Sequence, residues 1–254
     1  MGAPGTGTIA ELVGAGLLAG AMNAVAGGGS FVSLPALMHA GLPSTVANAS
    51  STIGLFPGSV TSLLAFGRGS LKRLPHASLP VLAGVSLAGG VLGALLLLVT
   101  TAHAFDLILP WLLLAATAAL LFGKRLERLR GGAGAGPAVL LPVQFVLGLY
   151  GGYFGGAVGL MTMAAWLVLE GVDLKAYTPT RIAMVTAMNA VAVLVFLAAG
   201  AWRWRETLAL LVGAVAGGWL GARLTRVLPA DGVRWAVRVF AVAVTAAYFW
   251  KAYG

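Results

Sequence analysis

Apolar stretches follow one another along this chain almost from end to end. Several run past the roughly 18 residues that cross a bilayer as a helix. Residues 75–99, 105–122 and 182–200 are examples. With 59% of residues hydrophobic and 9% charged, a water-soluble core of this size is excluded. The runs are continuous rather than alternating, which argues against a β-barrel as well. The expected fold is an all-α polytopic membrane protein of 8–10 transmembrane segments, forming a single transmembrane domain over 1–254.

The chain carries no cysteine, which removes disulfide and thiol chemistry. Its start, "MGAPGTGTIAELV", has no basic region and no cleavage site, so it reads as part of the protein rather than a removable signal peptide. The formal charge of +9 would suggest nucleic acid in a soluble chain. Here the Lys and Arg residues sit in short loops, as they do on cytoplasmic faces, and no nucleic-acid partner is expected.

The middle of the chain, "FGKRLERLRGGAGAGP", is basic and then glycine-rich. It reads as a linker over 123–137 between a first repeat at 9–122 and a second at 138–252. The halves resemble each other. "GLLAGAMNAVAGG" from Gly16 sits over "GLYGGYFGGAVGL" from Gly148, and "GGVLGALL" from Gly89 over "GGWLGARL" from Gly217. Each half divides into five apolar pieces, at 9–26, 30–41, 45–66, 77–100 and 104–122, then 138–157, 159–170, 179–200, 207–222 and 235–250. The second piece of each half is too short to span a ~30 Å core, and reads as a half-helix. If all ten pieces count as crossings, the repeats are inverted. Twelve of the sixteen basic residues, Lys72, Arg73, Lys124 and Arg223 among them, then share one face. That arrangement puts both termini outside. Trp111, Trp202, Trp204, Trp235 and Trp250 fall near the ends of these pieces, as interfacial anchors do.

Within this pattern "NAVAGGGSFVSLP", residues 23–35, stands out. Three glycines in a row break an apolar run, and backbone that leaves helical geometry in a bilayer survives only inside protein or beside water. A half-helix beginning at Ser30 would direct free N–H groups and a positive dipole end at a ligand, with an anion preferred. Ser30 and Ser33 are candidates to cap it or to donate to the ligand. "YGGYFGGAVGLMT", residues 150–162, has the same build in the second half. Small-residue pairs such as Gly89 with Gly93 and Gly217 with Gly221 read instead as helix packing. The third piece of each half adds matched polar trios, Asn48, Ser51 and Ser59 in one and Thr178, Arg181 and Asn189 in the other. Spacings of 3 and 11 place each trio on one helical face. Arg181 has two readings: a cation facing a buried anion, or a side chain one turn from the helix end that snorkels to the interface.

At these residues the chain resembles the TauE/SafE family of sulfite and organic-anion exporters. "NAVAGGGSFVSLPALMHAGLPSTVANASSTIGLFPGS" carries the first half of the likeness. "GLYGGYFGGAVGLMTMAAWLVLEGVDLKAYTPTRIAMVTAMN" carries the second. The resemblance implies a bacterial inner-membrane secondary carrier that exports small sulfur-containing anions, sulfite or an organosulfonate, by alternating access. A permease for another small anion or a neutral sulfur compound, and a non-transporting membrane scaffold, stand as alternatives. Members often carry lysine where this chain has Thr52, while Arg181 retains a basic residue in the second repeat.

Asn23, Gly27, Gly28, Gly29, Ser30, Asn48, Ser51, Ser59, Tyr153, Gly159, Thr162, Thr178, Thr180, Arg181 and Asn189 form the candidate substrate-binding set. No carboxylate pair, metal-ligand cluster or Ser-His-Asp set is evident, so neither enzymatic activity nor a cofactor or metal is expected. The expected partners are a small anion and the lipid bilayer, with a homodimer possible.

Overall fold

The computed structural model describes residues 6–25, 27–130, 136–173, 175–227 and 230–254. Ten α-helices lie among them: α1 (Thr6–Val25), α2 (Ser30–His39), α3 (Ser44–Phe66), α4 (Leu79–Val99), α5 (Ala102–Arg130), α6 (Pro137–Phe154), α7 (Val158–Glu170), α8 (Thr178–Ala198), α9 (Trp204–Val227) and α10 (Ala230–Tyr253). They correspond one to one with the ten apolar pieces. Seven of them, α1, α3, α4, α5, α6, α8 and α9, contain stretches long and apolar enough to cross a membrane. α10 is 24 residues long. The two short helices fall where expected. At 10 and 13 residues they reach about 15 and 20 Å.

One boundary differs from expectation. Lys124 to Arg130, read above as linker, are the last turns of α5. Lys, Arg, Glu and Leu are good helix formers, and nothing interrupts the helix before Gly131. Residues 131–135, the glycine-rich part of the linker, lie outside the described residues. Trp111 consequently sits well inside α5 rather than near its end, and its indole donates to the Tyr253 hydroxyl at 3.0 Å.

The helices of the two halves interlock through small residues. Gly16 packs on the backbone of Leu210 and Ala214, Gly20 on Ala214 and Gly218, and Gly221 on Ala21, so α1 and α9 run parallel in close contact. At a second seam between the halves, Gly89 packs on Phe145 and Gly148, and Gly93 on Leu149 and Tyr153, so α4 and α6 do the same. Gly58 meets Ala214 and Gly218, while Gly54 meets Leu210, which sets α3 parallel to α9. Each first helix is thus buried against the fourth helix of the other half. Without side chains in the way, backbones approach closely, which is how helices associate where no water drives them together.

The main core joins both halves and includes Phe31, Leu34, Phe105, Phe154, Met188 and Phe196. A second, smaller cluster of Leu74, Ala77, Leu82, Leu140, Trp166, Leu169, Val172 and Met184 lies apart from it. Buried beside that cluster is a polar chain that sequence reasoning did not find. Trp166 Nε1 donates to Gln144 Oε1 at 3.0 Å, and Gln144 Nε2 donates to Ser86 Oγ at 2.8 Å. The Ser86 hydroxyl in turn donates to Leu82 O at 2.7 Å.

Candidate functional site

The two glycine breaks meet inside the molecule. Gly27, at φ +89°, forms the turn out of α1, and its amide donates back to Met22 O at 3.1 Å. A Cβ on Gly27 would lie 2.6 Å from Gly159 Cα and run into Arg181 Nη1. A Cβ on Gly159 would lie 2.7 Å from both Gly27 Cα and Arg181 Nη1. So two backbones and a guanidinium converge at a point where only glycine fits. In the second half, Gly155 at φ +66° and Ala157 at φ +58° make the corresponding turn between α6 and α7.

Arg181 fills the junction. Its side chain is buried at 2% exposure, which excludes snorkelling to the interface. Nη2 donates to Ala24 O at 3.1 Å, at the end of α1, where helical carbonyls lack partners. Nε has no partner, and no carboxylate among the described residues lies within salt-bridge distance of the guanidinium. A buried charge with unused donors and no counter-ion is costly, and in a membrane protein such a group marks a site. A narrow cavity, with room for about one water molecule as the structure stands, is lined by Asn23, Ala24, Gly27, Ser59, Ser62, Gly159, Arg181, Ile182 and Val185. One wall is polar. Asn23 Nδ2 donates to Ser59 Oγ at 3.0 Å, and the Ser59 hydroxyl turns back to Leu55 O at 3.3 Å.

Five candidates therefore come together around this cavity: Asn23, Gly27, Ser59, Gly159 and Arg181. Ser62 and Ala24 join them without having been foreseen. Ser62 stands three residues after Ser59, so the helical period that singled out Ser59 was signal enough for it.

The remaining candidates do other things. Asn48 Nδ2 donates to Tyr153 O at 2.9 Å, at the end of α6, leaving Oδ1 unpartnered. The Ser51 and Ser33 hydroxyls bond each other at 2.6 Å. Gly155 packs against Thr52. Thr162 bonds back to Val158 O at 2.8 Å, and the Tyr153 hydroxyl reaches Thr100 Oγ1 at 3.4 Å. Thr178 and Asn189 are buried in α8, with Asn189 Oδ1 unpartnered. Thr180 turns away from the cavity to the loop before α4, accepting from Lys72 N at 2.8 Å and donating to Lys72 O at 3.0 Å. Gly28 and Gly29 line the turn. A Cβ on Gly28 would meet only side-chain atoms at 3.2–3.3 Å, whereas one on Gly29 would run into Ala19 O. Ser30 lies against Gly156.

The expected capping does not occur. Gly29 is the N-cap of α2, with no side-chain cap. The amides of Phe31, Val32 and Ser33 bond to Gly28 O or Gly29 O, so they are not free for a ligand. The turn closes on itself because glycine carbonyls reach where a serine hydroxyl was expected. The cation, more than the helix dipole, supplies the positive field.

Among proteins of known sequence, the chain is matched by the model of the sulfite exporter TauE/SafE family over residues 12–248, and it belongs to that family. Its relatives carry the names of membrane transporters. One from a Sinorhizobium species, "Probable membrane transporter protein ORF9", is 33% identical over 220 residues, covering 85% of this chain and 82% of its own. "Probable membrane transporter protein YfcA" of Escherichia coli K12 is 29% identical over 209 residues, covering 82% and 77%. A "Probable membrane transporter protein" of Haemophilus influenzae is 29% identical over 219 residues, covering 82% of each. No solved structure matches. The chain is a multi-pass protein of a membrane transporter family.

Proposed function

We propose that this protein is a secondary transporter of the bacterial inner membrane that exports a small sulfur-containing anion, sulfite or an organosulfonate. The anion binds in the cavity at Arg181. The observation that carries this reading is Arg181 itself: buried, without a carboxylate, with Nε unused, and set where both glycine breaks meet. A guanidinium fork holds two oxygens of an oxoanion at once. Asn23, Ser59 and Ser62 offer polar groups along the same cavity, and the absence of side chains at Gly27 and Gly159 lets the guanidinium sit between the two backbones.

The mechanism is alternating access between two inverted repeats. Helix directions support the inversion. α3 runs parallel to α9, while the short turn at 199–203 sends α9 back antiparallel to α8, so the third helices of the two halves oppose each other. The cavity lies between elements of both halves, so rocking one half against the other opens it to one side at a time. The distribution of the basic loops supports a topology with both termini outside.

Flux in proteoliposomes tests the function. Labelled sulfite and a short organosulfonate are expected to cross and to compete with each other, while a neutral sulfur compound neither crosses nor competes. Flux of the neutral compound alone would point to a permease of another kind, and no flux of any solute would point to a scaffold.

A further inference from the structure

Outside the cavity, an ion pair joins the two halves at a membrane face. Glu170 ends α7, with its side chain wholly buried. His76 lies in the loop 67–78 between α3 and α4. Its Nδ1 is 3.0 and 3.2 Å from the two carboxylate oxygens, and its backbone N–H donates to Oε2 at 3.3 Å. The same loop is fastened to the start of α8. Besides the Thr180 bonds to Lys72, the Tyr177 hydroxyl donates to Arg73 O at 3.3 Å. Leu74 and Ala77, which pair as a small β-bridge, are buried in the second apolar cluster against Trp166 and Met184.

The other half has only part of this. There the loop is the five-residue turn 199–203, and Arg203 N donates to Ser50 Oγ at 3.1 Å, as Lys72 N does to Thr180. Where α7 ends in Glu170, α2 ends in His39. The acid and the long strap belong to one face alone.

We propose that His76 and Glu170 form a proton site that latches the strap 67–78 onto α7 and α8, and that loss of the proton releases it. With one proton shared, a cationic imidazole neutralises the buried carboxylate. When that proton leaves, Glu170 remains as a buried charge without a counter-charge, a costly state that is relieved when the strap lifts and water enters. The other ionisable residues on the strap and between α7 and α8 are Arg68, Lys72, whose Nζ lies 5.9 Å from the Tyr177 ring centre, Arg73, Asp173, Lys175 and Tyr177. Asp173 accepts the Lys175 amide at 3.1 Å, and no other ion pair satisfies Glu170. Because the strap borders Thr180, the residue beside Arg181, its release frees the start of the helix that carries the cation. That the latch faces the cytoplasm follows from the topology proposed above; the latch itself does not depend on it.

The test uses the whole protein in detergent with one engineered cysteine, Ala77→Cys, at a buried position of the strap. Its alkylation rate is divided by that of an exposed control, Gly69→Cys, at each pH, and the Glu170→Gln background below accounts for the titration of the buried thiol itself. In the otherwise unchanged protein the ratio should rise as pH goes from mildly acidic to mildly alkaline. His76→Gln should give a high ratio at every pH, roughly tenfold above the acidic value. Glu170→Gln should give a low ratio at every pH, and adding it to His76→Gln should restore protection. That rescue separates a proton latch from a merely structural contact. A pH-independent ratio in the unchanged protein, or a double variant as exposed as His76→Gln alone, would overturn the proposal.

Discussion

Arg181 donates from Nη2 to the carbonyl of Ala24 at 3.1 Å, tying the start of α8 to the end of α1. Asn48 does the same for the opposite pair, donating from Nδ2 to Tyr153 O at 2.9 Å and so tying α3 to the end of α6. In each case the third helix of one half satisfies the last turn of the other half's first helix. One position is a cation and the other a neutral amide. That difference makes the two ends of the junction chemically unlike, and under the proposed function it leaves an anion one place to bind.

The glycine turn yields a graded prediction. Gly27→Ala forces a methyl group into Arg181 and Gly159 at a left-handed φ, a conformation that costs about 1–3 kcal/mol before any clash. Anion binding should be lost and thermal stability lowered. Gly28→Ala, whose neighbours are the flexible ends of Leu160, Met22 and Phe31, should bind and transport nearly as the parent does. Thermal unfolding and ligand binding of the two purified variants check the contrast.

Helix packing should respond differently. A side chain on Gly217 would press into the backbone of Leu17 and Ala21, neither of which lines the cavity. Gly217→Leu should lower the apparent Tm or prevent purification. Any protein that survives should bind the anion with parent affinity.

The buried Gln144 chain is predicted to be structural. Gln144→Leu leaves the Trp166 indole N–H and the Ser86 hydroxyl without their partner, at a cost of about 1–3 kcal/mol for each unsatisfied group. A fall in apparent Tm with unchanged anion affinity is the expected outcome.

Topology can be read from outside the cell, since no native cysteine interferes. Gly7→Cys and Gly254→Cys should react with a membrane-impermeant maleimide on whole cells. Gly69→Cys, in the basic loop after α3, should react only after the membrane is opened. All three positions stand clear enough to accept the change: Gly7 and Gly69 have open space, and Gly254 is exposed at the chain end.

Much of this architecture was legible in the sequence because a bilayer permits so few solutions. Long apolar runs must be helices, and the triple glycine had to break one, so ten pieces corresponded to ten helices with short second members. That Gly27, Ser59 and Arg181 would lie around one cavity was legible for a similar reason: a broken helix or a polar side chain at membrane depth is rare enough to signal. Thr180 shows where that logic stops. It shares a helix turn with Arg181, yet faces the loop at Lys72, and no local pattern distinguishes the two directions. The capping role foreseen for Ser30 and Ser33 failed similarly. Ser33 finds Ser51, a partner set by how α2 leans on α3, which depends on the whole fold. Gln144 carried no signal, since a lone amide in an apolar run gives no clue that an indole and a hydroxyl wait on two other helices.

Binding of labelled sulfite to purified protein carrying Arg181→Lys or Arg181→Gln tests the central claim most directly. The lysine keeps the charge but loses the fork, and should weaken binding about tenfold. The glutamine removes the charge-assisted bonds, worth about 1.5–3 kcal/mol, and should weaken binding by roughly 10- to 100-fold or abolish it, while the protein remains folded. Parent affinity in a folded Arg181→Gln protein would contradict the account, because the anion would then be held somewhere other than the junction of the two glycine breaks.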